Sequence, residues 1–434
     1  MNLIKYRKYR ENDKTVLLIG FSILIILFCL FQCADRDRSN IFDPSSGIDS
    51  LDISLYITSS DSVITIHWYA PRKVDYKGFD LYRKTVNQDS FQQIASFSAD
   101  KLEYTDRNII NDITYQYYIK VVGEDNESPP TKVLQVTPGP LKFYILDYWG
   151  FAIYKLTYDV QHILSTRYTS WMPENLALDP AGNWAMITYP QLHYYDVYSR
   201  RSGSTELSGI EFNRPFGCIY NPKQNKFWFT DSSGYLYSLD PLTASAELID
   251  QNLVQPTQII YTEHGIFVMD IKTAQIIRYT TSGQRQETIE NMGDTHLIRP
   301  IYINYASNNA ELYIIDRVSD DNRILYRYAF LSDSVDIVNQ HKYLNGIQVN
   351  TNDNSVWISI NEPENSVLMQ LSSEGIRLNE IAGFSGISDF KYISETNTII
   401  VADPVDYLVK HIRPNGSVIG VFNKASYPSK VYVE

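Results

Sequence analysis

The stretch "KFWFTD", Lys226 to Asp231, runs three aromatic residues into a threonine and an aspartate, and relatives of it return along the chain. They are "KFYILD" ending at Asp147, "GIFVMD" at Asp270, "ELYIID" at Asp316 and "TIIVAD" at Asp403. Aromatic and β-branched side chains pack well on a pleated surface, so each reads as a strand. Six longer segments, 173–188, 215–231, 256–270, 300–316, 344–360 and 387–403, share one plan. It is a strand, a polar turn, a second strand, then usually Asp. A third short strand follows each ("LHYYDV", "YLYSLD", "QIIRYT", "ILYRYA", "VLMQLS", "YLVKHI"), and then a more variable fourth.

The markers at 147, 188, 231, 270, 316, 360 and 403 are 41, 43, 39, 46, 44 and 43 residues apart. That is the period of a four-stranded propeller blade, which neither a sandwich nor a barrel produces. The first copy, from Lys142, lacks its leading strand, while "YPSKVYVE", Tyr427 to Glu434, reads as a leading strand without the rest of its blade. Pairing the two gives a seven-bladed β-propeller over 139–434 with no free sheet edges, ending where its ring closes. Six blades is the alternative. The recurrent Asp is expected to accept backbone N–H groups in the turn to the third strand, with Thr188 and Ile360 standing in its place in two copies. The pattern resembles NHL- and YVTN-like propeller repeats, although their Gly-rich leading strand is mostly absent here.

Residues 51–138 alternate in short runs about ten apart, the pattern of an all-β sandwich. Trp68 ends the second run and is expected in the core. "ITYQYYIKVVGEDNESPP" resembles the penultimate strand and loop of a fibronectin type III domain, with Tyr115, Tyr117, Ile119 and Val121 on one face. The resemblance puts Tyr115 at that family's corner tyrosine and makes the module a spacer or adhesion unit.

The first 33 residues hold five bases and two acids; without them the chain has 33 basic and 48 acidic residues, a formal charge of about −15. Such a balance speaks against a nucleic-acid partner, whose phosphates demand a basic face, and against broad docking on anionic lipid. A basic opening, the apolar run Val16 to Gln32, then Cys33 and a polar Asp- and Ser-rich segment read as a secretion signal at 1–33 and a tether at 34–50. The arrangement resembles a bacterial lipoprotein signal, which implies diacylglyceryl transfer to Cys33. "NIFDP", Asn40 to Pro44, is similar to the tether of surface lipoproteins that carry fibronectin type III modules. The implied address is the cell envelope, with Ala34 favouring the outer membrane; an uncleaved N-terminal anchor is the alternative. Cys218 is the only cysteine past the tether, so no intramolecular disulfide is expected there.

In a propeller the leading strands line the central channel, and their alternate residues define where a ligand is sought. These are Asn175, Gly217, Gln258, Tyr302, Gly346, Asp389 and Lys430, then Ala177, Ile219, Ile260, Asn304, Gln348, Lys391 and Tyr432. The polar members, Asn175, Gln258, Tyr302, Asn304, Gln348, Asp389, Lys391 and Lys430, are the candidate site. One carboxylate among two lysines is a poor metal site, since calcium asks for six to eight oxygens. No H-x-x-E-H, G-x-S-x-G or C-x-x-C motif occurs, and the histidines are scattered, with His67 and His193 assigned to strands and His264 to a turn. The expectation is a non-catalytic binding or scaffold protein, without metal or cofactor, that holds an envelope protein, peptide or glycan. Tyr148, Trp149, Trp171 and Tyr189 would lie at the channel mouth. The alternative is a lactonase- or lyase-like enzyme with a metal at the axis.

Overall fold

The computed structural model describes residues 53–69, 76–201, 205–209, 212–243 and 245–434, and every regular element among them is a β-strand. The signal segment with Cys33 and the tether to residue 50 lie outside the described residues. Two compact units divide the chain: one holds the residues up to Ile57 with Thr65–Thr105 and Thr114–Gln135, the other Thr58–Ile64, Asp106–Ile113 and Val136–Glu434.

The first module carries seven strands: β1 (Leu55–Ser60), β2 (Val63–Trp68), β3 (Gly78–Thr85), β4 (Gln92–Ser98), β5 (Glu103–Asp106), β6 (Tyr115–Val122) and β7 (Leu134–Val136). They form two sheets, ordered β1-β2-β5 and β4-β3-β6-β7. Burial alternates along β6, so that Tyr115, Tyr117, Ile119 and Val121 are buried as their period of two requires. Trp68 is 2% exposed and meets Phe79 edge-on at 5.6 Å. Where β6 outruns its sheet partner, the hydroxyls of Thr131 and Ser128 accept the Ile119 and Val121 N–H groups at 3.0 and 2.9 Å.

From residue 143 onward seven four-stranded antiparallel sheets follow one another. The leading strands of sheets 2 to 7 are Asn175–Leu178, Pro215–Asn221, Pro256–Thr262, Pro300–Ala306, Leu344–Val349 and Asp389–Ile393. Sheet 1 takes its leading strand from the far end of the sequence: Pro428–Val433 pairs antiparallel with Phe143–Asp147, Val431 opposite Ile145 and Tyr432 opposite Tyr144. The second strands are apolar on both faces because each sheet is covered on both sides. Trp228, Phe227 and Phe229 in sheet 3, and Trp357 in sheet 6, are fully buried. Apolar layers join each sheet to the next. One joins Leu146 and Ile153 of sheet 1 to Leu176 and Ile187 of sheet 2. Another joins Ile400, Ala402 and Val409 of sheet 7 to Phe143, Ile145 and Val431 of sheet 1.

The recurrent aspartates do more than the turn role expected of them. Asp147, Asp231, Asp270 and Asp403 do accept N–H groups from the turn that follows, those of Gly150, Ser233, Lys272 and Asp406 at 3.0, 3.0, 3.2 and 3.3 Å. They also reach back to the segment that enters their own leading strand. Asp270 takes Val254 and Gln255, Asp316 takes Ile298 and Arg299, and Asp403 takes Ser385 and Gly386. Asp147 takes Ser426 and Tyr427 at 2.8 and 2.7 Å, the same geometry across 280 residues of sequence. Each buried carboxylate thus ties the connection from the preceding sheet to the centre of its own.

Two expectations are corrected by the register. Leu176 pairs with Ile187 as Cys218 pairs with Phe229 and Phe390 with Val401, so Tyr189, not Thr188, is the counterpart of Asp231 and Asp403. Tyr189 is completely buried and bonds to Asp196 Oδ2 at 3.1 Å, so it is no mouth aromatic. Thr188 instead matches Thr230, and both hydroxyls donate to a backbone carbonyl of the next sheet, Phe216 O at 2.6 Å and Thr257 O at 2.7 Å. His193 sits in a turn at φ 61°, not on a strand. With Phe151, Ala274 and Tyr407 it occupies the left-handed position that closes the turn from second to third strand, where sheet 3 has Gly234. Non-glycine residues there cost roughly 1 kcal/mol each; the turns of Phe151, Ala274 and Tyr407 are anchored by an Asp, whereas that of His193 follows Tyr189.

Candidate functional site

The leading strands of six of the seven sheets bound a cavity of about 840 Å³, to which that of sheet 6, Leu344–Val349, contributes no wall residue. Six of the eight candidate residues line it: Asn175, Gln258, Tyr302, Asp389, Lys391 and Lys430. The other two stand back from the wall. Asn304 spends its amide on the Ile347 carbonyl at 2.9 Å, and Gln348 reaches the cavity only through the Tyr302 hydroxyl at 3.5 Å.

Several wall residues are fixed by bonds to the neighbouring sheet. Asn175 Nδ2 donates to Phe216 O at 2.9 Å. Gln258 Nε2 donates to Ile303 O while its Oε1 accepts the Ile303 N–H, both at 2.8 Å. Asp389 Oδ2 accepts the Val431 N–H at 3.1 Å, and its Oδ1 lies 3.5 Å from Lys391 Nζ. Tyr432 OH accepts the Leu176 N–H at 3.0 Å. Across the seventh-to-first and first-to-second junctions, side chains of sheets 7 and 1 thus make the bond that Asn175 and Gln258 make elsewhere. Gly217 has its own reason: a Cβ there would stand 2.2 Å from Thr257 O, so the backbones of sheets 3 and 4 approach too closely for a side chain.

The apolar members of the leading strands do not separate into channel and interface sets as the alternation implied. Ala177, Ile219 and Ile260 pack into the layers between sheets, as their neighbours Leu176 and Ile259 do, because successive residues face the sheets on either side. Cys218 lies in the same layer as Met186 and Phe229, and burial pushes its thiol up to about 12, leaving it protonated and inert.

Electrostatics set the character of the wall. Burial pushes the Tyr302 hydroxyl up, with Lys391 opposing, so it is a neutral donor. Burial alone would lower Lys391, but Asp389 and Tyr302 outweigh it and hold the ammonium above its usual range. Arg299, one residue before the strand Pro300–Ala306, also lines the cavity and was missed by a count that began at the proline. Among the described residues no group of three or more His, Cys, Asp or Glu side chains is placed to hold a metal ion.

No protein-family model matches the chain, and no curated protein matches it. Among solved structures, a functionally unknown protein from Desulfotomaculum acetoxidans DSM 771 is similar at a TM-score of 0.52 and 9% identity, over 67% of this chain and 98% of that one. The nidogen/laminin complex and U3-55K give TM-scores of 0.45 and 0.49 at 13% and 9% identity, over 68% and 60% of this chain and 98% and 84% of theirs. The first likeness is one of fold alone.

Exposed aromatic residues gather on sheet 1 and the turn beyond it. Trp149, 57% exposed, lies 4.6 Å from Tyr427, and Phe151 stacks on Trp171 at 5.7 Å and 17°. Tyr148 OH accepts from Gln191 Nε2 at 3.0 Å. Three of the four expected mouth aromatics therefore share one surface, and Tyr189 does not.

Proposed function

We propose that residues 139–434 are a closed seven-bladed propeller, that 51–138 are a fibronectin type III-like sandwich, and that the protein is a lipid-anchored, non-catalytic binding module of the cell envelope. Closure is supported by the pairing of Pro428–Val433 with Phe143–Asp147 and by the apolar layer between sheets 7 and 1. The sandwich reading rests on the two-sheet order and on the alternating core of β6. The observation that carries the binding reading is the cavity wall: Asn175, Gln258 and Asp389 are locked by backbone of the adjoining sheet. A wall held this way meets a ligand without having to reorganise, which is where much of the cost of binding otherwise lies.

The address is tested at Cys33. Labelled palmitate is expected in the wild-type chain and absent from Cys33→Ser, and an unlabelled wild type contradicts it. The binding reading is tested by melting the chain from residue 34 onward against fractions of envelope extract. A ligand of the native state raises the midpoint in proportion to RT ln(1 + [L]/Kd), several degrees at saturation. Tyr302→Phe is expected to weaken that rise while leaving the ligand-free midpoint within about 2 °C, since the ring's packing against the sheet 5–6 layer is kept and only the hydroxyl is lost. Conversion of the stabilising compound into a new product, seen by mass spectrometry, would overturn the non-catalytic reading.

A further inference from the structure

The chain is acidic, with a formal charge of −12, yet the cavity is lined by three cations and one carboxylate: Arg299, Lys391 and Lys430 against Asp389. The carboxylate is already spent on the Val431 N–H and on Lys391. Lys430 Nζ is half-buried and donates to a neutral group, Asn175 Oδ1, at 2.6 Å. Among the described residues neither Lys430 nor Arg299 has a carboxylate within ion-pair distance. For Lys430, partly drawn out of water without a counter-charge, an incoming anion would return part of the free energy of desolvation; Arg299 is exposed and adds its charge at the rim. In an acidic protein, two unpaired cations on one cavity wall also concentrate the local positive field.

Apolar side chains, Ile219, Ile260, Met269, Ile271 and Ile301, border the same space. Its volume far exceeds a bare inorganic anion and falls within the usual range of sites for small organic molecules. Gln258 is saturated at both ends of its amide, so it shapes the wall, while the protonated Tyr302 hydroxyl remains a donor.

We infer that the cavity takes a small organic anion, a carboxylate borne on an apolar body, with Lys430 and Arg299 as its counter-charges. The inference rests on the reading of this cavity as the binding site. It is tested by isothermal titration of the chain from residue 34 onward with 3-phenylpropionate and with neutral 3-phenylpropan-1-ol, which share a skeleton and differ in charge. The carboxylate is expected to bind about tenfold more tightly, an advantage that shrinks as salt screens it. Lys430→Met and Arg299→Met are each expected to remove most of that advantage, read as the ratio of the two affinities within each variant. Equal affinity for the two compounds, or an advantage that survives in both variants, overturns the anion assignment and leaves the cavity reading standing. Binding of neither compound, together with no ligand-induced rise in midpoint from any extract fraction, overturns the anion assignment and the cavity reading together.

Discussion

Removal of Tyr427 to Glu434 is expected to lower the unfolding free energy by roughly 4 kcal/mol or more, a large share of the ~5–15 kcal/mol that holds a typical domain. The strand Pro428–Val433 contributes the whole ladder to Phe143–Asp147, and Val431 within it is fully buried against Ile400 and Ala402 of sheet 7. Its loss leaves the Asp147 carboxylate without the Tyr427 N–H and frees Asp389 from Val431. It also breaks the cluster in which Glu434 meets Lys155 at 2.7 Å, Arg200, and the Tyr144 hydroxyl at 3.0 Å. The edge of Phe143–Asp147 then faces water with unpaired backbone groups, which also invites association. Chemical denaturation followed by circular dichroism measures the loss, and an unchanged midpoint contradicts it.

A second large effect lies at the same junction and is read by pH. His411 of sheet 7 is fully buried, edge-on to Phe143 at 4.8 Å and to Tyr158 at 4.6 Å. Burial pushes its pKa down to about 4 from the usual 6.5. The folded protein therefore keeps the ring neutral while the unfolded chain takes up a proton, so this contribution to stability is complete above pH 6.5. It drains away as pH falls toward 4 and is spent below that. The gap corresponds to roughly 3 kcal/mol at about 1.4 kcal/mol per unit. Acidification from pH 7 to pH 4 is expected to cost His411→Phe less than the wild type by about that amount, since phenylalanine fills the site and binds no proton. Equal losses in the two proteins, from denaturation curves at each pH, contradict the assignment.

Much of this architecture was legible in the sequence because the second strands are apolar on both faces and end in a buried Asp. Composition and spacing both register that. The period located all seven sheets, and the orphan leading strand at Tyr427–Glu434 pointed to its partner at Lys142. What escaped the reading depends on contacts that a linear pattern does not carry. Tyr189 replaces Asp without changing the spacing enough to show, and only the pairing of Leu176 with Ile187 reveals it. The left-handed turn position is filled by Phe151, His193, Ala274 and Tyr407, and a glycine stands there only in sheet 3, at Gly234, too rarely to mark it. At the site, alternation along the leading strands found six wall residues, but it could not show that Asn304 bonds to the next sheet. Nor could it bring Arg299 in from the connection before its strand.

Closure of the seven sheets through the last strand is the claim on which the cavity depends, and a cysteine cross-link tests it most directly. In a background with Cys33→Ser and Cys218→Ser, Tyr144→Cys and Tyr432→Cys stand opposite each other in the ladder. Mild oxidation is expected to link residues 144 and 432 in nearly every molecule, found as one disulfide-joined peptide pair by mass spectrometry. The control pair Tyr144→Cys with Val433→Cys, displaced by one residue and so facing the opposite side of the sheet, is expected to remain unlinked. Failure of the first pair to link, or equal linking of both, would contradict the closed ring.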